Sequence, residues 1–338
     1  MKHLLGYWPL PVGLIIGSVI IIFIVTISPT NPDAAKIAFV LQKDETARSV
    51  AQRLKQEKFI DNPTKFIVLA KLLNYERSLK KGKFFLPQEI DELTALRILV
   101  KGGQASALVT IPEGKTLEQT AEILQEYQIC SKTEFLASAQ NPSLLATLGI
   151  KAKSAEGYLF PDSYEFEIFS NPKDVLTRLI NQFFFVFNSL LSDDSVGYAK
   201  NRDKTKGILK DHEIVILASI IEAEAQLNKE RPIIASVFLN RLKRRLPLQS
   251  CATIEYILKE RKPILTIQDL KINSPYNTYL HRGLPPGPIC SSGRSSLKAA
   301  MFPGKTDYLF FVSRGDGSHQ FSKTSRDHFR ASRRHQTR

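Results

Sequence analysis

The sequence predicts an α+β protein: an N-terminal transmembrane helix, then a small domain, then a larger mixed α+β domain. Three observations lead there. An uncharged apolar run opens the chain, and two segments of similar pattern follow it at a spacing of 70 residues. Beyond them, helical and strand patterns come in irregular order, unlike the alternation of a doubly wound sheet. The 338 residues suffice for one large or two modest domains. A hydrophobic content of 43% and a charged content of 24% are ordinary for a globular chain.

The first element is the apolar run. Leu4 to Ile27 carries no charge over 24 residues, more than the roughly 20 that cross a bilayer core. Pro9 and Pro11 lie at its start, where a helix tolerates them. A cleaved signal peptide would have an apolar core of about 7–15 residues and a small-x-small cleavage site. Thr26-Ile-Ser-Pro-Thr30 is a poor site of that kind. Residues 1–30 are therefore expected to be a cytoplasmic tip and a retained single-pass anchor. Lys2 and His3 precede the run and Asp33 is the first charge after it, which favours a cytoplasmic N-terminus and an exported body.

The repeat comes next. Glu45-Thr46 leads into Val50, Ala51 and Leu54, then Ile60, Thr64 and Phe66. Lys115-Thr116 leads in the same way into Thr120, Ala121 and Leu124, then Ile129, Thr133 and Phe135. Each copy reads as a strand, a turn, a helix capped by its threonine, and a second helix. Each also resembles half of a lysin-motif-like element, a small sugar-binding fold, and so marks residues 37–106 as a small lysin-motif-like domain. Lys101-Gly-Gly-Gln-Ala-Ser106 is a linker-like break, after which Val109-Thr-Ile-Pro-Glu-Gly114 restarts as strand and turn. The larger domain is placed at 107–325. Its expected helices are 116–127, 131–138, 173–191, 212–227 and 230–245, with strands at 158–166 and 307–313.

The net charge of +14 raises nucleic acid as a partner. The basic residues are spread rather than striped, which argues against it. An exported protein meets anionic wall peptides and lipid headgroups instead. Residues 326–338 are expected to form a basic, solvated, frayed tail. Cys130, Cys251 and Cys290 show no metal spacing.

One glutamate reads either as a surface residue at the exposed end of a buried helix or as a candidate general acid. Glu222 interrupts the apolar stretch Ile214-Val-Ile-Leu-Ala-Ser-Ile-Ile-Glu-Ala-Glu-Ala225. Loss of hydration disfavours the charged form of a carboxyl group, which is how a carboxylic acid serves as a general acid near neutral pH. Glu224 lies about 200° away around the same helix, so the two cannot form an acid–base dyad. It is expected to meet solvent or a cation such as Arg231. Glu255, Asp269, Asp307 and Asp316 read as surface or turn residues, leaving no second carboxylate. Asn240 and Arg241 could cap or brace their helix, and His319 reads as structural.

Several motifs in order carry a resemblance. They are Ala218-Ser-Ile-Ile-Glu222, Ala235-Ser-Val-Phe-Leu-Asn-Arg-Leu242, Leu248-Gln249, Ser274-Pro-Tyr-Asn-Thr-Tyr279 and Gly283-Leu-Pro-Pro-Gly-Pro-Ile289. Glu156-Gly-Tyr-Leu-Phe-Pro-Asp-Ser-Tyr164, Asp307-Tyr-Leu-Phe-Phe-Val312 and Gly315-Asp-Gly-Ser-His-Gln-Phe321 extend the match over nearly the whole chain. Together they resemble the endolytic murein transglycosylases of bacteria.

The resemblance implies cleavage of nascent peptidoglycan strands between MurNAc and GlcNAc, leaving 1,6-anhydroMurNAc ends. Glu222 would be the sole acid/base, with no metal or organic cofactor. Gln249, Asn277 and Thr278 could hydrogen-bond sugar hydroxyls or acetamido groups, and Tyr276 and Tyr279 could stack on sugar faces. The implied setting is the bacterial inner membrane, with an extracytoplasmic body near cell-wall synthases. A hydrolytic muramidase and a non-enzymatic glycan-binding scaffold remain as alternatives. The sequence departs from the family where an Asp then a Pro usually precede Thr253; here stand Ser250, Cys251 and Ala252. Three free thiols are the simplest state, and a Cys251–Cys290 disulfide tying that segment to the Pro-rich loop is the alternative.

Overall fold

The computed structural model describes residues 36–42, 45–102, 106–167, 170–192, 209–262 and 264–336. The expected anchor at Leu4 to Ile27 lies outside the described residues. Among those described, no helix is long and apolar enough to cross a membrane. The protein is a mixture of helices with small two-stranded sheets, α+β as expected. It divides into two units. One reaches to Ser106 and also takes Glu167; the other runs from Ala107 through Phe166 and from Ser170 onward.

The first unit has the order β1 (Lys36–Leu41), α1 (Ala47–Gln56), α2 (Pro63–Leu72), β2 (Gly82–Pro87) and α3 (Glu92–Lys101). The strands pair antiparallel, with Phe39 opposite Phe84. Both phenylalanines are buried with Val50, Leu54, Ile60 and Phe66 in a core of the unit's own. Thr46 caps α1 by accepting the Ser49 N–H, and Asn62 caps α2 with Pro63 in its first turn. Gly102 closes α3 in the left-handed region, at φ 74°. The order β–α–α–β is thus built, but nothing in it identifies a lysin motif.

The second unit repeats that opening: β3 (Ser106–Thr110), α4 (Leu117–Glu126), α5 (Lys132–Ala139), a short α6 (Pro142–Thr147) and β4 (Ser163–Glu167), which pairs with β3. Thr116 caps α4 in a reciprocal capping box with Gln119. The 20-residue α7 (Pro172–Leu191) turns Val175, Leu179, Ile180, Phe183, Phe187 and Leu190 inward, at helical spacing. At the centre lies α8 (Asp211–Glu224), buried on all sides from Ile214 to Ile221. That explains its unbroken apolar sequence.

Around α8 pack α9 (Arg231–Lys243), α10 (Cys251–Leu258) and α11 (Arg294–Met301). A hairpin of β5 (Phe310–Ser313) and β6 (His319–Ser322) follows, then α12 (Ser325–Gln336). The last helix corrects an expectation. The basic tail is not frayed up to Gln336, because Ala331 is buried and His328 stacks on Phe310 at 5.2 Å. The disulfide is also absent: all three cysteines are free thiols. Cys290 Sγ points at the Ser219 carbonyl and Cys251 Sγ at the Tyr279 hydroxyl.

Candidate active site

The last turn of α8 carries Glu222 to the wall of a cleft of about 1130 Å³ within the second unit. Its carboxyl group does not rest among apolar side chains, as the local sequence suggests. Oε2 accepts the Gly293 N–H at 2.9 Å, and Oε1 lies 3.2 Å from the Arg231 guanidinium. Arg231 is locked in turn by the Asn228 side chain, the Ala225 carbonyl and the Ser296 hydroxyl. Both members of the ion pair are nearly buried, with side chains 6% and 7% exposed. A bidentate-capable, fully used guanidinium of this kind fixes the carboxyl group's direction.

Glu224 and Arg231 thus correct a second expectation. Arg231 pairs with Glu222, two residues before the expected Glu224. Glu224 instead accepts the Ser250 hydroxyl from the opposite side of α8, and burial pushes its carboxyl group up from the ordinary range. The two glutamates do point apart, as the helix requires.

Besides Glu118, Glu122 and Glu260, three further carboxyl groups line the same cleft: Glu113, Glu156 and Glu255. No local sequence signal selects them. Glu113 sits on the turn between β3 and α4. Gly114 N–H donates to the Ser291 carbonyl and Ser291 N–H to the Lys115 carbonyl, each at 2.8 Å, so this turn is stitched to the segment before α11. There the Glu113 carboxyl group fills the space beside Gly293: a Cβ on that residue would lie 1.7 Å from Glu113 Oε1. Only glycine permits the approach. Burial, then the neighbouring Glu222 charge, raise the Glu113 carboxyl group, while Arg231 opposes them.

Glu156 caps α4 from a distance. Both its oxygens accept the Leu117 N–H, at 3.0 and 3.1 Å. Burial pushes it up to about 7 even though backbone N–H groups and the Tyr256 hydroxyl pull it down. Tyr256 and Tyr276 lie with ring centroids 5.1 Å apart, and both line the cleft. Glu255, read as a surface residue, is raised by burial first.

Of the five residues expected to contact sugar, only Tyr276 lines the cleft. Gln249 receives a hydrogen bond from Arg241 and holds a left-handed backbone, φ 52°. Asn277 is fully buried; its amide donates to the Leu270 and Ile272 carbonyls and accepts the Tyr279 N–H. Thr278 accepts the Ser250 N–H and pairs with Thr253. Tyr279 meets Cys251. Asn277 and Thr278 are engaged inside the protein, whereas Gln249 is exposed and Tyr279 half-buried. Asn240 and Arg241 brace the β5 approach through the Thr306, Tyr308 and Leu309 carbonyls. His319 is structural as expected, its backbone N–H and Nδ1 both on Glu230.

The Pro-rich segment is pinned to α8. Ile289 N–H donates to the Ser219 hydroxyl at 3.0 Å. Gly157, at φ 81°, lets Pro288 approach; a Cβ there would be 2.3 Å from Pro288 Cβ. Four of the ordered motifs therefore reach one cleft, through Glu156, Glu222, Tyr276 and Ile289.

The model of the YceG-like family matches residues 39–334. The chain belongs to the YceG-like family. A Bacillus subtilis relative named endolytic murein transglycosylase is 30% identical over 318 residues, covering 90% of this chain and 82% of the relative. A Streptococcus pneumoniae protein of the same name is 29% identical over 335 residues, covering 89% of this chain. The match spans 59% of that longer protein. Among solved structures, a putative YceG-like protein of Listeria monocytogenes is 32% identical with a TM-score of 0.56, covering 88% of this chain and 99% of that one. The Listeria protein shares the mixed α+β architecture with the chain.

Proposed function

We propose that this protein is an endolytic peptidoglycan lytic transglycosylase. It cuts nascent glycan strands between MurNAc and GlcNAc and leaves 1,6-anhydroMurNAc ends. The observation that carries the reading is Glu222: a carboxyl group fixed by Arg231 and the Gly293 N–H at the wall of a large cleft. The cleft of about 1130 Å³ exceeds the roughly 300–1,000 Å³ of ordinary small-molecule sites and suits a segment of polymer. The names of the Bacillus and Streptococcus relatives agree in substrate and reaction class.

In this reaction Glu222 protonates the glycosidic oxygen. The resulting carboxylate then takes the proton from the 6-hydroxyl of the same MurNAc as that oxygen closes on C1. Intramolecular attack supplies the effective concentration that a bound water would otherwise need. Tyr276 offers a ring for a sugar face, while Gln249, Asn277, Thr278 and Tyr279 hold the segment behind it. The protein acts from the bacterial inner membrane through the anchor at residues 1–30, with its body outside and cell-wall synthases nearby.

A hydrolytic muramidase is the second reading. Glu113 beside Glu222 favours it, because ordinary glycosidases use two carboxylates. The test is Glu222→Gln on purified glycan strands. Loss of the acid proton is expected to lower cleavage about 10²–10⁴-fold, with the wild type giving anhydro ends by mass spectrometry. Wild-type turnover in the variant would remove Glu222 from the chemistry, and reducing-end MurNAc from the wild type would select the muramidase.

A further inference from the structure

We propose that Glu113 is a positioning residue for the Glu222 acid–base step: the two carboxyl groups, packed against the same glycine, form a proton-sharing dyad. The inference rests on the glycan-cleaving reading above and deepens it. Backbone geometry fixes the pair. The two hydrogen bonds joining Gly114 and Lys115 to Ser291 hold the Glu113 turn beside Gly293. Gly293 N–H donates to Glu222 Oε2. The Glu113 carboxyl group occupies the volume that any side chain at position 293 would need. Arg231 is ion-paired with Glu222, whereas Glu113 forms no ion pair among the described residues.

The arrangement answers a chemical problem. A general acid needs a proton, and an arginine alone favours the ionised form of a neighbouring carboxyl group. A charged Glu222 makes it costly to ionise Glu113 at the same place, so the proton rests on Glu113 and is at hand for Glu222. The raised Glu113 carboxyl group, with Glu222 among its causes, agrees with that coupling. In the reaction, the glycosidic C1–O bond breaks as its oxygen takes the dyad's proton. The new C1–O6 bond forms as the 6-hydroxyl gives its proton back. The dyad ends with the proton count it began with, and no co-reactant is required.

Two measurements on the full chain test this. Carboxyl-carbon NMR titration of Glu222→Gln is expected to place the Glu113 midpoint lower than in the wild type; an unchanged midpoint overturns the dyad. In Glu113→Gln, the ratio of kcat on glycan strands at about pH 8 to that at about pH 5 is expected to fall about tenfold, a one-unit move of the basic limb. Gly293→Ala, which displaces the Glu113 carboxyl group, should move the ratio the same way, and Glu113→Asp should restore part of it. An unchanged ratio, or an equal loss at every pH, overturns the proposal. The titration needs no turnover. A wild-type protein that left glycan uncut would therefore defeat the functional reading while the dyad was still decided.

Discussion

Glu156 shows how a single buried carboxyl group can set the pH response of the fold. It receives donors from Leu117, Gly157 and Tyr256, yet burial outweighs them and holds its proton up to about 7. The ordinary value is 4.5. Between those values the folded chain binds a proton that the unfolded chain has lost. Stability is then full below the unfolded value and falls as pH rises through the folded one. The complete shift corresponds to roughly 3 kcal/mol. Glu156→Gln keeps an acceptor for the Leu117 N–H and removes the titration. Urea unfolding between about pH 5 and pH 7.5 is expected to show a flatter dependence for the variant, and a slope equal to wild type would contradict the assignment. Neither Glu156 nor Glu113 could be chosen from sequence. Glu156 stands in a quoted motif and Glu113 in a strand-turn segment, but what makes them special is tertiary: a helix N-terminus 39 residues away and a glycine brought in by the 291–293 segment. Glu222 stands out in its apolar helix, but only the ordered motifs around it set it apart from a surface glutamate. The Arg231 partner was not, since it depends on how α9 leaves the turn after α8.

At the level of elements, legibility followed local grammar. Thr46, Thr116 and Asn171 cap α1, α4 and α7, and the apolar spacing of those helices is strong, so their existence could be read directly. The helices α10 and α11 were missed because both are eight residues long and begin in Ser- and Gly-containing stretches that read as loop. The helix α12 reads as a solvated end in sequence because its charges are the dominant pattern. What orders it is contact with β5, which no local signal records. The Pro-rich segment is an element in the same sense: its stiffness was readable, its anchorage at Ser219 and Gly157 was not. Gly157→Ala would combine a positive φ of 81° with a collision on Pro288. We expect a loss of roughly 1–3 kcal/mol together with weakened glycan cleavage, read by thermal unfolding and kcat/KM. A variant as stable and active as wild type would show that Pro288 can yield freely.

For the whole molecule, two separate cores imply separable tasks. The first unit buries its own set around Phe39, Leu54, Phe66 and Phe84, and the second its own around α8. The cleft and every carboxyl group discussed lie in the second. Deleting residues 37–105 while keeping residues 1–36 should therefore weaken retention on sedimented peptidoglycan more than it lowers turnover at saturating substrate. Complete loss of turnover in a folded deletion variant would contradict that separation. The central claim is intramolecular closure of the sugar without water, and it is tested most directly by digesting purified glycan strands in ¹⁸O-labelled water and weighing the new ends. Ends lacking one water and carrying no ¹⁸O are expected; ends that have gained labelled water would contradict the account.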